Sequence, residues 1–163
     1  MKLPIPLMLI IASAAAFAAA PDASFYKTLA QGGIAEVEAG KLARQKGADP
    51  KVKDFGAMMV KDHSAANEQL KALAAGKGID LPGSSSTSQM AAKAKLEVLS
   101  GGTFDKSYVE DQVKAHRETV ELLKKEIATG QDPDAKAFAQ KVLPTVESHL
   151  HAINQIAAAG GKG

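Results

Sequence analysis

The segment FDKSYVEDQVKAHRETVELLKKEIA, residues 104–128, carries apolar side chains at the three- and four-residue spacing of one helix face. The residues that share this face are Val109, Val113, Val120, Leu123 and Ile127. His116 interrupts the face, and an imidazole that is buried without a hydrogen bond or a ligand costs free energy. The segment therefore predicts a helix whose buried histidine needs polar partners from other helices.

The composition favours a helical core without large aromatic side chains. Hydrophobic residues make up 45% of the 163 residues and aromatic residues only 4%, so Ala, Leu, Val, Ile and Met must fill most of the interior. The formal net charge is +2, with basic and acidic residues interspersed, which argues against a nucleic-acid partner. There is no Cys, so stability cannot depend on disulfides.

The N-terminal residues 1–20, MKLPIPLMLIIASAAAFAAA, have the pattern of an export signal. Lys2 precedes an apolar run, and small residues suited to cleavage follow it. We expect a signal peptide over 1–20, a single domain over 21–160 and a location in the periplasm or at the outer membrane. The apolar run is short for a membrane span, so we expect no span after signal removal, with an uncleaved anchor as the alternative.

Two Asp-Pro pairs mark the starts of helices. Asp49-Pro50 and Asp132-Pro133 each place a capping side chain before a Pro in the first helical turn. The heptapeptides that these pairs open, DPKVKDF and DPDAKAF, are similar, which hints at two related helical hairpins. Asp22 or Ser24 is predicted to cap the first helix in the same way.

Residues 76–88 are rich in Gly, Ser and Pro and predict a surface connection, which a short helix at about residues 89–99 follows. A connection of about 25 residues can span a bundle and return the chain parallel to the preceding helix. We therefore expect an all-α fold: a four-helix bundle of ferritin-like topology, with a long crossover that contains a short extra helix between helices 2 and 3. A simple up-and-down bundle is the alternative.

Each of the four long helices places one potential metal ligand on its apolar face. These residues are Glu36, His63, His116 and His149. Three imidazoles and a carboxylate that converge in a bundle suit a transition metal ion such as Zn, Cu, Fe or Mn. The alternative is a buried hydrogen-bond network that only fixes helix register, in a structural or interaction module. Neighbouring residues that would support the ligands are Asp62, Asp105 and Tyr108.

The same helix faces argue against di-iron chemistry. Such a site requires Glu-x-x-His pairs, and the residues three positions before the histidines are Val60, Val113 and Val146. No Ser-His-Asp triad, phosphate-binding loop or Cys nucleophile can be argued from the sequence. The sequence therefore favours a protein without enzymatic activity. It leaves open whether the chain binds a protein partner or forms a homo-oligomer.

Four segments, GGIAEVEAGKLA, VKDHSAANEQLKALA, FDKSYVEDQVKAH and LPTVESHL, together resemble the bacterial domain-of-unknown-function 4142 (DUF4142) family. The positions that carry the resemblance are Glu36, Asp62, His63, Phe104, Asp105, Tyr108, His116, Pro144 and His149. The resemblance covers nearly the whole chain after the N-terminal segment. It implies a ferritin-like four-helix bundle in the bacterial envelope. It implies no established activity, so the metal hypothesis depends on the helix faces.

Overall fold

The computed structural model describes residues 22–160, which form five α-helices and no strand. The helices are α1 (Ala23–Lys46), α2 (Pro50–Gly76), α3 (Thr87–Glu97), α4 (Gly101–Thr129) and α5 (Pro133–Gly160). The prediction of an all-α fold is confirmed, whereas the predicted signal peptide lies outside the described residues. Among the helices described, none combines the length and the apolar character that crossing a membrane requires.

The Asp-Pro pairs begin helices as the sequence indicates. The side chain of Asp49 accepts a hydrogen bond from the Lys51 N–H at 2.8 Å, and Asp132 accepts one from the Asp134 N–H at 3.0 Å. Asp22 precedes α1 but makes no side-chain cap to it, and its backbone is left-handed with φ 57°. The prediction of a side-chain cap is therefore wrong, because the Asp22 carboxylate has partners elsewhere in the chain and the alternative residue, Ser24, lies inside α1.

The two helical hairpins, α1–α2 and α4–α5, form hydrogen bonds with each other's turns. Asp22 accepts hydrogen bonds from two backbone N–H groups of the α4–α5 turn, both at 2.6 Å. Asp105, in the first turns of α4, likewise accepts hydrogen bonds from two N–H groups of the α1–α2 turn. Asp22 and Asp105 are separated by the same number of residues as Asp49 and Asp132. The similarity of the two heptapeptides thus extends to equivalent contacts between the hairpins.

Contacts at the helix ends give the direction of each helix. The Lys46 ammonium, at the end of α1, donates to the Leu99 carbonyl at 3.3 Å, just before α4 begins. At the opposite end, Lys77 follows α2 and pairs with Asp132 and Asp134 at the start of α5, at 2.9 and 2.8 Å. It follows that α2 and α4 run in the same direction, each antiparallel to the other helix of its hairpin.

The interior consists of two apolar clusters with a polar layer between them. One cluster includes Tyr26, Leu70, Leu123 and Phe138, and the other includes Phe55, Met59, Phe104, Tyr108 and Ile153. Each histidine falls between the two clusters along its helix: His63 between Met59 and Leu70, His116 between Val109 and Val120, and His149 between Val146 and Ile153. We call these three histidines the imidazole layer.

Candidate metal centre

The imidazole layer brings together His63 from α2, His116 from α4 and His149 from α5. Each side chain offers one ring nitrogen, and the three nitrogens lie within 4.8 Å of one another. The ring centroids are separated by 5.6 to 5.8 Å. His116 and His149 are buried and His63 is half-buried. Three of the four predicted ligands therefore share one site.

One nitrogen of each imidazole is buried without a hydrogen-bond partner among the described residues. These atoms are Nε2 of His63, Nε2 of His116 and Nδ1 of His149. A buried polar atom without a partner costs about 1–3 kcal/mol, so three in one place require an explanation. A cation that accepts all three lone pairs would satisfy them together.

Two of the imidazoles are fixed from behind by hydrogen-bond acceptors. The Nδ1 of His116 lies 3.0 Å from the Gln112 carbonyl oxygen, and the Nε2 of His149 lies 3.0 Å from Asp62 Oδ2. Because both partners are acceptors, these nitrogens carry the protons and the opposite nitrogens keep free lone pairs. Metal-binding histidines are oriented by the same kind of acceptor, and Asp62 lies where the sequence suggests a supporting residue.

The surroundings of His63 and His149 favour their neutral forms. Burial, reinforced by the proximity of His116 and His149, lowers the pKa of His63 to about 3. Burial also lowers the pKa of His149, although the Asp62 carboxylate acts in the opposite direction. Since a metal binds the deprotonated nitrogen, His63 and His149 need lose no proton at neutral pH before they can act as ligands.

The Phe55 ring closes one side of the imidazole layer. Its centroid lies 6.0 Å from that of His116 and 6.4 Å from that of His149, in edge-on contacts. The Tyr108 ring also contacts Phe55, with a centroid distance of 6.3 Å, and its buried hydroxyl has no partner among residues 22–160. Sequence analysis missed this role of Phe55, which is indistinguishable there from an ordinary apolar helix residue.

Glu36 lies behind His116 and not with the three converging nitrogens. Its Oε1 is 4.0 Å from the Nδ1 of His116, the nitrogen already engaged by the Gln112 carbonyl. The Glu36 side chain is buried, and its Oε2 has no partner among the described residues. Burial raises the pKa of this carboxyl, while His116 and the Gln112 amide act to lower it. Glu36 is thus placed to act on the ring of His116.

Asp105 forms hydrogen bonds with the α1–α2 turn and with none of the three imidazoles among the described residues. Its two carboxylate oxygens accept hydrogen bonds from the N–H groups of Ala48 and Asp49 at 2.8 to 3.2 Å. The structure therefore assigns Asp105 to the α1–α2 turn, and the position just inside α4 explains its choice of partner. A sequence alone could not reveal this contact, since it joins segments far apart in the chain.

A family model described as "Domain of unknown function (DUF4142)" matches residues 10–156, and the chain therefore belongs to this family. No curated protein shows a significant match to the sequence.

Two solved structures have a similar fold. One is a DUF305 protein from Streptomyces coelicolor, 19% identical, with a TM-score of 0.71 over 86% of this chain and 93% of that one. The other is a DUF305 fragment from Deinococcus radiodurans, 11% identical, with a TM-score of 0.74 over 85% of this chain and 95% of that one. At these identities the likeness shows the helical fold alone.

Proposed function

We propose that this DUF4142 protein is an exported bacterial protein that binds a transition metal ion in its core, for storage, sensing or stress protection. The observation that carries the proposal is that His63, His116 and His149 bring ring nitrogens within 4.8 Å of one another, and that each has one ring nitrogen without a hydrogen-bond partner among the described residues. Glu36 belongs to the proposed site as the residue that acts on the His116 ring, since its Oε1 lies 4.0 Å from the Nδ1 of His116. Export is inferred from residues 1–20, which also suggests a location in the periplasm or at the outer membrane.

The proposed scaffold is a four-helix, ferritin-like bundle made of α1, α2, α4 and α5, with α3 in the crossover. Its support is the parallel direction of α2 and α4, which the contacts of Lys46 and Lys77 indicate. In such bundles, metal ligands project from facing helices into a shared core. The imidazole layer has this arrangement, because its three members come from three different helices.

The donor set favours copper or zinc among the four candidate metals. Imidazole nitrogen suits Zn, Cu and Fe, whereas Mn is bound better by oxygen ligands. For a tetrahedral ion with metal–nitrogen bonds of about 2.0–2.1 Å, the nitrogens must approach to about 3.3 Å. The separation of up to 4.8 Å therefore requires a small inward movement of the rings on binding. Affinity should fall in the order Cu²⁺, Zn²⁺, Fe²⁺, Mn²⁺.

The test is metal binding by protein purified without a histidine tag and freed of metal by a chelator. Isothermal titration with Zn²⁺ and elemental analysis after dialysis should show one ion per chain in the wild type. The variants His63→Ala, His116→Ala and His149→Ala should each lose most of this binding. His151→Ala is the matched control, because His151 is exposed and bonds only Gln155 among the described residues, at 2.9 Å.

Two results would overturn the proposal. One is substoichiometric metal in the wild type with each of the four ions. The other is equal binding by the wild type and all three variants of the imidazole layer, which would place the metal elsewhere. If no ion binds, the layer is a hydrogen-bond network in a structural or interaction module, and histidine-to-leucine variants should then keep the fold.

A further inference from the structure

A cavity of about 320 Å³ opens beside the imidazole layer. Apolar side chains form most of its wall, including Leu29, Leu70, Phe138, Val142 and Val146. His63 and His149 also line it, whereas His116 does not. The cavity therefore borders two of the three residues that are proposed to hold the metal ion. The volume lies within the range of small-ligand pockets, of roughly 300–1,000 Å³.

The cavity wall carries several polar groups but little negative charge. Asp62 is the carboxylate that lines the cavity, and it is already bonded to His149 at 3.0 Å. Glu36 lines a different cavity, between α1, α3 and α4. A divalent ion on neutral imidazoles would keep most of its positive charge, and that charge favours an anion as a further ligand.

The packing of α1 against α2 provides a hydrogen-bonding group next to this position. Asn67 is one helical turn after His63, so both side chains lie on the same face of α2 and both line the cavity. A β-carbon at Gly33 would lie 1.9 Å from Asn67 Oδ1, so the Asn67 side chain occupies space that exists only because residue 33 is a glycine. The Asn67 amide can donate hydrogen bonds to a ligand in the cavity.

We propose that the metal centre keeps one open coordination position, which a small monodentate anion from solution reaches through this cavity, with Asn67 as its hydrogen-bond donor. The inference rests on the proposed metal site. It adds that the site is accessible and anion-binding rather than closed, which is the difference between a catalytic or sensing centre and a purely structural one.

The test uses the full chain loaded with one Cu²⁺ and titrated with sodium azide. Azide bound to Cu²⁺ gives a charge-transfer absorption band, so the wild type should show a saturable new band that corresponds to one azide per copper. Ala66→Phe and Val142→Phe place a ring in the cavity and should weaken azide binding at least tenfold while copper stays bound. Asn67→Ala should weaken it severalfold. Ala157→Phe, at an exposed position outside the cavity, is the matched control and should bind azide like the wild type.

The outcomes separate this inference from the proposed function. Copper bound at one per chain with no saturable azide band would overturn the open position and leave the metal site standing. Equal azide affinity in the wild type, Ala66→Phe and Val142→Phe would show that azide arrives by another route, which also overturns it. If one of the two variants does not fold, the other decides. A wild type that binds no copper would overturn both proposals.

Discussion

The imidazole layer and the polar cluster at the α4–α5 turn, which consists of Tyr26, Lys77 and Asp132, are both largely buried, but they differ in how their atoms are paired. At the turn, the Tyr26 hydroxyl donates to Asp132 at 2.8 Å, and Lys77 pairs with the same carboxylate at 2.9 Å. In the layer, His63, His116 and His149 each have one nitrogen without a partner in the part of the chain that the structure describes. The turn cluster is explained by its own hydrogen bonds, whereas the described residues provide no hydrogen-bond partner for these three nitrogens. This difference is the reason to assign a ligand to the layer.

The pKa values of the turn cluster are consistent with internal pairing. Although burial opposes ionisation, hydrogen bonds from Lys77 and Tyr26 hold the pKa of Asp132 below its usual value. One oxygen of the neighbouring Glu126 has no partner among the residues that the structure describes. Burial together with the Asp22 carboxylate raises the pKa of Glu126 to about 7. Glu126 therefore keeps its proton to a higher pH than an ordinary carboxyl does. Protonation accounts for its oxygen without a metal ion.

The largest expected difference between the two clusters is the response to metal. Zn²⁺ at about 1,000 times its dissociation constant should raise the free energy of unfolding of the wild type by about 4 kcal/mol, because the ion binds only the folded chain. His116→Leu should gain almost nothing, since it lacks one of three ligands. Urea unfolding with and without Zn²⁺ measures both. Tyr26→Phe, in the turn cluster, is the control and should gain as much as the wild type.

Asp62 is the carboxylate that supports the imidazole layer through His149, and Asp62→Asn should weaken Zn²⁺ binding by about 10–100-fold. The amide no longer provides the charged acceptor that orients His149 at 3.0 Å. Isothermal titration gives the affinity. Asp54→Asn, at an exposed position of the same helix, is the matched control. An unchanged affinity in Asp62→Asn would mean that the carboxylate does not act on the metal site.

Tyr26→Phe tests the turn cluster by removing only the hydroxyl. The Asp132 carboxylate loses one charged hydrogen bond, and the free energy of unfolding in the absence of metal should fall by about 2 kcal/mol. Zn²⁺ affinity should not change, because Tyr26 bonds Asp132 at the α4–α5 turn and is not part of the imidazole layer. Chemical denaturation and titration on the same sample check the two expectations. A loss of affinity equal to the loss of stability would show that the two clusters are coupled.

Glu126→Gln has the smallest expected effect on the free energy of unfolding, and the size of this effect depends on pH. The pKa of Glu126 is about 7 in the folded chain against 4.5 for an ordinary Glu, so the folded chain keeps a proton that the unfolded chain has lost between these values. The contribution of Glu126 to stability is therefore fully present below pH 4.5 and decreases as the pH rises towards 7. At pH 8 the variant should be more stable than the wild type by on the order of 1 kcal/mol, and at pH 4 nearly equal to it.

Urea midpoints at pH 4, 6 and 8 in metal-free buffer measure this dependence. Asp22 and Asp132 raise the pKa of Glu126, and Lys136 lowers it. These three residues are the same in Glu126→Gln and in the wild type, and the two proteins are compared at the same pH. Glu121→Gln, an exposed residue of the same helix, is the control. A difference between Glu126→Gln and the wild type that does not vary with pH would show that Glu126 keeps an ordinary pKa.

Local chemistry in the sequence determined the helices and much of the candidate site. The all-α fold, the starts of α2 and α5 after Asp49 and Asp132, and the inward face of His116 follow from capping and periodicity, which act between residues close in the chain. The sequence also selected Glu36, His63 and His149 as polar residues on apolar faces. Periodicity could give no more, because it fixes the face of a side chain and not its depth or ring rotation.

Tertiary structure alone decided which of these atoms meet. It placed the three histidines within 4.8 Å, set Glu36 behind His116 and gave His149 the Asp62 carboxylate. It also gave the Asp22 carboxylate partners in the α4–α5 turn, more than 100 residues away, in place of the predicted partners in its own helix. These contacts depend on the relative register of packed helices, and that register is set by the summed packing of many side chains, which no single segment contains.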